Sequence, residues 1–226
     1  MYSIIVSSII LLNGLGLAAM LLVSVLSVEL SMKSSVERST EVPMQQSQRT
    51  PQATDTPELS VVKQSMRAAA GNFLSTLRSV LVHSMAQGAA SAAAVCADTA
   101  QTLTAQMGKQ YGMELRRISL KARNAANVPT KREAQHLQVL EQMRSAGTLT
   151  DSTVLWDSFE RDGVRVVQMI RPIVLSNGVC LQCHGKTGDV APETASILNK
   201  RYPADRARGY AIGDVRGAVS VVRPVQ

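Results

Sequence analysis

The 226 residues carry 24 Lys+Arg against 17 Asp+Glu, are 45% hydrophobic and only 3% aromatic, and contain three cysteines. Length and apolar content suit one ordinary globular domain with appendages and exclude a disordered chain. Two of the cysteines crowd into Cys180-Leu181-Gln182-Cys183, so they are not the even, dispersed set of a disulfide scaffold. Scarce aromatics and the lack of a nucleic-acid motif set nucleic-acid binding aside despite the basic balance.

In chain order, residues 2–28 hold no charged side chain and reach the length of roughly 20 apolar residues that crosses a bilayer. A cleaved signal peptide has a basic start and an apolar core of about 7–15 residues. This segment lacks the first and overruns the second, so residues 1–30 read as an uncleaved transmembrane anchor. Lys33, Arg38 and Arg49 follow the span and nothing basic precedes it, which by itself favours a cytoplasmic C-terminal side. Residues 31–55, rich in Ser, Thr, Gln and Pro without an apolar period, read as a flexible linker. Only three of the 24 Lys+Arg but five of the 17 Asp+Glu fall in the first 59 residues, so the domain expected over 56–226 is distinctly basic. Such a field attracts an acidic redox partner or a membrane surface.

Thr56-Pro57-Glu58 has an N-cap residue followed by Pro at the first helical position. Val62, Met66, Ala69, Phe73, Leu77 and Val80 then recur on one helix face. The helical pattern continues, weakened by Gly71 and Gly88, through the alanine-rich run 89–105 and stops near Gly112. Thr130 to Glu133 is a capping box, and Ala134, Leu137, Leu140 and Met143 form the stripe of the helix it opens. Residues 154–160 and 164–174 flank the turn pair Asp162-Gly163 and read as a hairpin. Residues 218–222 supply a last short strand. Helices first and strands later point to an α+β domain.

Cys180-Leu181-Gln182-Cys183-His184 is the attachment pattern of c-type haem: two thiols add to the vinyl groups and the adjacent imidazole binds iron. Zinc also uses Cys-x-x-Cys but usually needs a second ligand pair, which the sequence lacks. A dithiol redox centre normally sits in a thioredoxin-like strand-helix context, whereas here a hairpin strand and Ser176-Asn177-Gly178 come before it. One covalent haem c is therefore expected. Because such attachment takes place outside the cytoplasm, the periplasmic side of the cytoplasmic membrane is expected for the domain, against the charge bias around the span.

Haem iron has a second axial position whose occupant sets much of the potential. Met85, Met107, Met113, Met143 and Met169 fall where core side chains are expected, and His83 and His136 lie on expected helices. Cys96, among Ala92, Ala93, Ala94, Val95 and Ala97, sits on a helix surface with so little bulk that a flat macrocycle could lie against it. A small buried hydrophobe is the competing reading of the same thiol.

Val95-Cys96-Ala97, the run Arg117-Ile118-Ser119 through Asn127-Val128-Pro129, Arg171-Pro172-Ile173, Cys180 to Gly185, Tyr202-Pro203-Ala204-Asp205 and Gly209 to Gly217 together resemble a family of c-type haem sensor proteins, the Tll-type cyanobacterial haem proteins, once catalogued as a domain of unknown function. The likeness runs over about residues 89–222. It implies a PAS-like α+β fold, haem held between a long helix and the sheet, and a His/Cys axial pair, with His184 proximal and Cys96 distal. The family's Arg-Thr-Ser is Arg117-Ile118-Ser119 here, which removes one hydroxyl. Arg117 or Arg123 is expected near the haem propionates, where a guanidinium pairs bidentately with a carboxylate. Gly185, Gly209, Gly213 and Gly217 are expected to serve tight turns around the cofactor.

Thiolate ligation favours the ferric form and a low potential. A membrane-anchored redox or gas sensor is the leading expectation, with NO or CO as conceivable ligands. No kinase or cyclase sequence follows, so signalling is expected to need a separate protein partner. A low-potential electron-transfer cytochrome c is the alternative. Enzymatic activity such as a peroxidase's is not expected, because no distal acid-base group can be assigned.

Overall fold

Thr56 opens the first element of the computed structural model, which describes residues 55–225. Its side chain accepts from the Leu59 N–H, and Pro57 at the first helical position starts α1 (Pro57–Met85). The helical pattern that the sequence carries on to Gly112 is divided at Gly88, which takes φ 96° and starts a second helix, α2 (Ala89–Tyr111), that packs back on α1. The membrane anchor expected at 1–30 lies outside the described residues, as does the linker up to residue 54. Among the described residues no helix is long and apolar enough to cross a membrane.

Four antiparallel strands follow: β1 (Glu114–Ile118), β2 (Leu155–Arg161), β3 (Val164–Val174) and β4 (Val215–Pro224), in the order β1-β4-β3-β2. The hairpin is where the sequence puts it, with Asp162 and Gly163 at φ 54° and 76° in its turn. Both residues therefore have the left-handed conformation that a two-residue hairpin loop demands. β4 is longer than the five residues expected and lies centrally, so its apolar run has a physical cause: both of its faces are covered. On one face Val219 and Val221 join Met66, Phe73 and Met107 beneath α1 and α2. On the other, Ala218 and Val215 join Ile118, Ile170, Leu137 and Leu140 beneath α3 (Lys131–Ser145). The capping box that opens α3 is complete: Thr130 Oγ1 accepts from the Glu133 N–H while the Glu133 carboxylate accepts from the Thr130 N–H.

Two further helices complete the fold, α4 (Gly178–His184) and α5 (Pro192–Arg201). Among the described residues the architecture is α+β, a four-stranded antiparallel sheet with five α-helices, as the element order implied. The β3/β4 ladder shifts register at Ile173/Val174. The irregularity ends the ladder beside a cavity that Ile173, Val174 and Leu175 help to line, a common place for a bulge.

Candidate functional site

Asn177 accepts from the Val179 N–H and so caps α4, which turns Cys180-Leu181-Gln182-Cys183-His184 into a helix. Residues three and four apart share a helix face, so Cys180, Cys183 and His184 all project one way. They line a cavity of about 240 Å³ between α2, the sheet and α4. Cys96, with Ala92, Ala93, Ala97 and Ala100 around it, forms the α2 wall of the same cavity. The small side chains keep this helix surface shallow. Arg117, Ile118 and Ser119 from the end of β1, with Arg123 and Asn127, make the sheet-side wall.

All three cysteines are free thiols. Burial raises the Cys96 thiol above its ordinary range, against the opposing pull of Arg117 and Arg123. Cys183 is raised for the same reason, with Arg123 again opposing and Cys96 reinforcing. Uncompensated, both favour the protonated thiol; a cation bound at sulfur reverses this.

His184 is held by a strap over 205–210 that lies beside the end of α4. The Tyr210 N–H donates to the His184 carbonyl at 3.0 Å, and the Gly209 N–H to that of Gly185 at 2.8 Å. The Tyr210 ring meets the imidazole edge-on, at 89° and 6.2 Å between centres. His184 Nδ1 lies 3.0 Å from the Ala207 carbonyl and 3.1 Å from Arg216 Nε. It can serve only one of them as a hydrogen-bond partner. A protonated Nδ1 donates to Ala207 and leaves Nε2 free as a metal ligand; an unprotonated one accepts from Arg216. Burial, then the charges of Arg216 and Arg123, pushes His184 well below its ordinary range and keeps it neutral, as a metal-ligating imidazole must be.

The two arginines expected at one task are placed differently. Arg123 Nε pairs with Asp205 at 3.0 Å while its Nη2 donates to the Cys183 carbonyl at 2.6 Å and to that of Ala207 at 3.2 Å. It thereby ties α4 to the strap. Arg117 reaches only Gln101 Oε1, at 3.4 Å, and its buried Nε has no hydrogen-bond partner. A guanidinium with a buried N–H left short of an acceptor fits a cavity that takes an anionic group.

The other candidate ligands lie elsewhere. Met107, Met113 and Met169 are in the core under α1, and Met143 packs against the core beneath α3. His136 Nε2 bonds Asp157 at 3.1 Å, and His83 is exposed near the end of α1. Ile118, at the position of the missing hydroxyl, is a core residue as well as part of the cavity wall. Of the four glycines expected at turns, Gly209 and Gly213 have left-handed φ of 75° and 87°, Gly217 stands at 159° and Gly185 at −72°. Gly217 answers a different need: a Cβ there would sit 2.2 Å from the Ile118 carbonyl oxygen. Its absence lets Ser119 Oγ reach the Arg216 carbonyl at 2.8 Å.

Arg216 and Tyr210 are site residues for which the sequence reading assigned no role. The signal was present in the string Gly209 to Gly217, but nothing local says which of its side chains would return to the histidine.

Cys96, Cys180, Cys183 and His184 share this cavity wall, yet among the described residues no three His, Cys, Asp or Glu side chains converge on one point as a lone metal ion requires. The donor set fits a broad, flat group better than a small ion. An α+β domain that sets a Cys-x-x-Cys-His helix across a cavity from an alanine-lined thiol defines a class of cofactor-holding protein. The chain belongs to the Tll0287-like family, whose signature matches residues 25–224. A solved structure described as that of the cyanobacterial heme-protein Tll0287 is similar in fold: it is 23% identical, covers 76% of this chain and 97% of its own, and superposes with a TM-score of 0.50. No curated protein matches the chain. The resemblance drawn from the motifs over 89–222 is thus borne out at the level of the family.

Proposed function

We propose that the cavity holds one haem c, thioether-linked to Cys180 and Cys183, with His184 Nε2 and Cys96 Sγ as its axial ligands. The observation that carries this reading is the placement of these four side chains around one cavity, with His184 Nδ1 within reach of a carbonyl acceptor. The family's solved haem protein supports it by analogy. When bound, the group supplies a one-electron redox centre with an exchangeable axial position.

The chain's own residues do the rest. The Nδ1–H to Ala207 bond fixes the imidazole tautomer and ring plane. The alanines of α2 let Cys96 approach without a competing side chain. Arg117 offers its unpartnered Nε–H to a propionate, while Arg123 holds the Cys-x-x-Cys-His helix on the strap and presents charge to the same wall. Tyr202, Leu198 and Leu77 line the remaining sides.

In function we read a redox or gas sensor with a PAS-like fold, anchored by residues 1–30 to the cytoplasmic membrane with the domain on the periplasmic side, and acting through a separate protein partner. A thiolate from Cys96 and the imidazole of His184 would together favour a low potential and a displaceable bond in the group they hold. Low-potential electron transfer is the competing outcome of the same test. That test is haem staining on a denaturing gel, then optical and EPR spectra of the ferric and ferrous protein beside Cys96→Ala. Stained protein whose low-spin thiolate signal disappears in the variant, and which binds CO on reduction, is the expected result. Unchanged spectra in Cys96→Ala sink the His/Cys pair and favour ordinary electron transfer; an unstained band sinks covalent haem.

A further inference from the structure

The histidine side of the cavity contains a guanidinium that no carboxylate neutralises. Arg216, on β4, donates from Nη1 to Ser119 Oγ at 2.7 Å and to the Lys121 carbonyl at 3.4 Å. Its Nε lies 3.1 Å from His184 Nδ1, and its guanidinium carbon is 5.6 Å from the centre of the Tyr210 ring. Every one of these partners is uncharged. Lys121 Nζ lies over the same ring at 4.3 Å and donates to the Arg208 carbonyl at 2.6 Å. Asp205, the carboxylate whose charge bears on Arg216, is already paired with Arg123 and Arg208, both at 3.0 Å. Positive charge therefore exceeds negative on this wall. Burial lowers Arg216 from its ordinary value to about 10, which leaves it charged at neutral pH.

We infer that Arg216 is a positioning residue that sets the redox poise of a group held by His184, its fixed charge favouring the reduced, less positive state. The inference rests on the haem reading above and adds a regulator to it. A charge buried this close to a ligand acts through a dielectric much lower than that of water. Partners of a ligating histidine tune the bound centre. The charge does not depend on what Nδ1 does. Once Nε2 is coordinated, Nδ1 keeps its proton for Ala207 and ceases to accept from Arg216, but Ser119 and the Lys121 carbonyl still hold the guanidinium in place. Arg216 and the Cys96 thiolate thus push in opposite senses, and the protein's poise is their balance.

The experiment is a spectroelectrochemical titration of the full haem-loaded chain as wild type, Arg216→Gln, Arg216→Lys and Lys121→Gln. In Arg216→Gln the ferrous-to-ferric ratio at a fixed applied potential is expected to fall about tenfold, a downward shift of about 59 mV for a one-electron couple. Arg216→Lys, which keeps the charge, stays close to wild type, and Lys121→Gln shifts the same way by less. An unmoved potential in Arg216→Gln with haem and spectrum intact overturns the inference, as does an equal drop in Arg216→Lys. Should Arg216→Gln fail to retain haem, Lys121→Gln decides: a downward shift beside an Arg216→Lys potential close to wild type supports the inference, and no shift overturns it. Wild-type protein without covalent haem overturns the haem reading itself, and this inference with it.

Discussion

Arg117 and Arg123 sit six residues apart and look equivalent in the sequence, yet the structure gives them opposite energetics. Asp205 is nearly buried beside Arg123, with side-chain exposures of 5% and 11%, so removing the cation leaves a buried carboxylate with only part of its compensation. Breaking such a pair costs on the order of 3 kcal/mol. Arg117 is half-buried, its Nε–H enclosed with no carboxylate to meet it, and desolvation pulls it below its ordinary value. Its loss removes a desolvation penalty along with whatever it binds. Urea unfolding of the haem-free chain is therefore expected to show Arg123→Gln destabilised by about 3 kcal/mol and Arg117→Gln within about 1 kcal/mol of wild type. Equal losses in the two would mean that Arg117 has a structural partner and is no anion site. At this scale the Cys-x-x-Cys-His motif was legible as a pattern because it lies in five consecutive residues, and the structure brings its two thiols and its imidazole to one cavity. The separate duties of Arg117, Arg123 and Arg216 were not, because each is defined by partners far away in the chain.

Among the elements, three with local signals were read correctly: the Thr56 cap, the Thr130/Glu133 capping box and the Asp162-Gly163 hairpin. β1 escaped because five residues, three of them charged, carry no convincing alternation; they become a strand only by pairing with β4, Glu114 with Val222 through Ile118 with Ala218. α5 did carry a signal that went unused, Pro192 at its start, Glu193 in its first turn, Lys200 and Arg201 in its last. The helical pattern across residues 57–111 is periodic on both sides of Gly88, so periodicity alone does not reveal that the chain reverses there. The consequence is that α1 is held to the sheet by its own stripe, with Phe73 fully buried among Met66, Met107, Val219 and Val221. Phe73→Ala should cost about 3–5 kcal/mol, read as a lower urea midpoint with an unchanged slope. A cost under about 1 kcal/mol would show that α1 packs loosely and contributes little to the fold.

For the whole molecule, the order β1-β4-β3-β2 was beyond sequence reasoning, since it joins the two ends of the domain through a central strand that no local pattern assigns to the middle. Two buried or half-buried carboxylates tie distant parts of this fold together. Asp157 on β2 accepts from Arg132 at 2.7 Å and His136 at 3.1 Å, fastening α3. Asp205 accepts from Arg123, Arg208 and the Ala207 N–H, fastening the strap to α4 and the end of β1. Burial alone would raise both. For Asp157 the bonds from Arg132 and His136 outweigh it, and for Asp205 the Ala207 N–H and the Arg123 charge do, so both carboxyls stay below their ordinary range. A carboxylate depressed in the folded state binds fewer protons there than when unfolded. Its contribution is complete above the unfolded value of about 3.9 and is lost as pH falls through the folded one. Stability should thus be nearly flat with respect to these two groups above about pH 5 and fall steeply in acid. Asp157→Asn and Asp205→Asn should each be less stable than wild type at about pH 6, with the gap narrowing as pH falls below about 4. A gap that stays constant across that range would mean that the side chains matter for shape and not for charge.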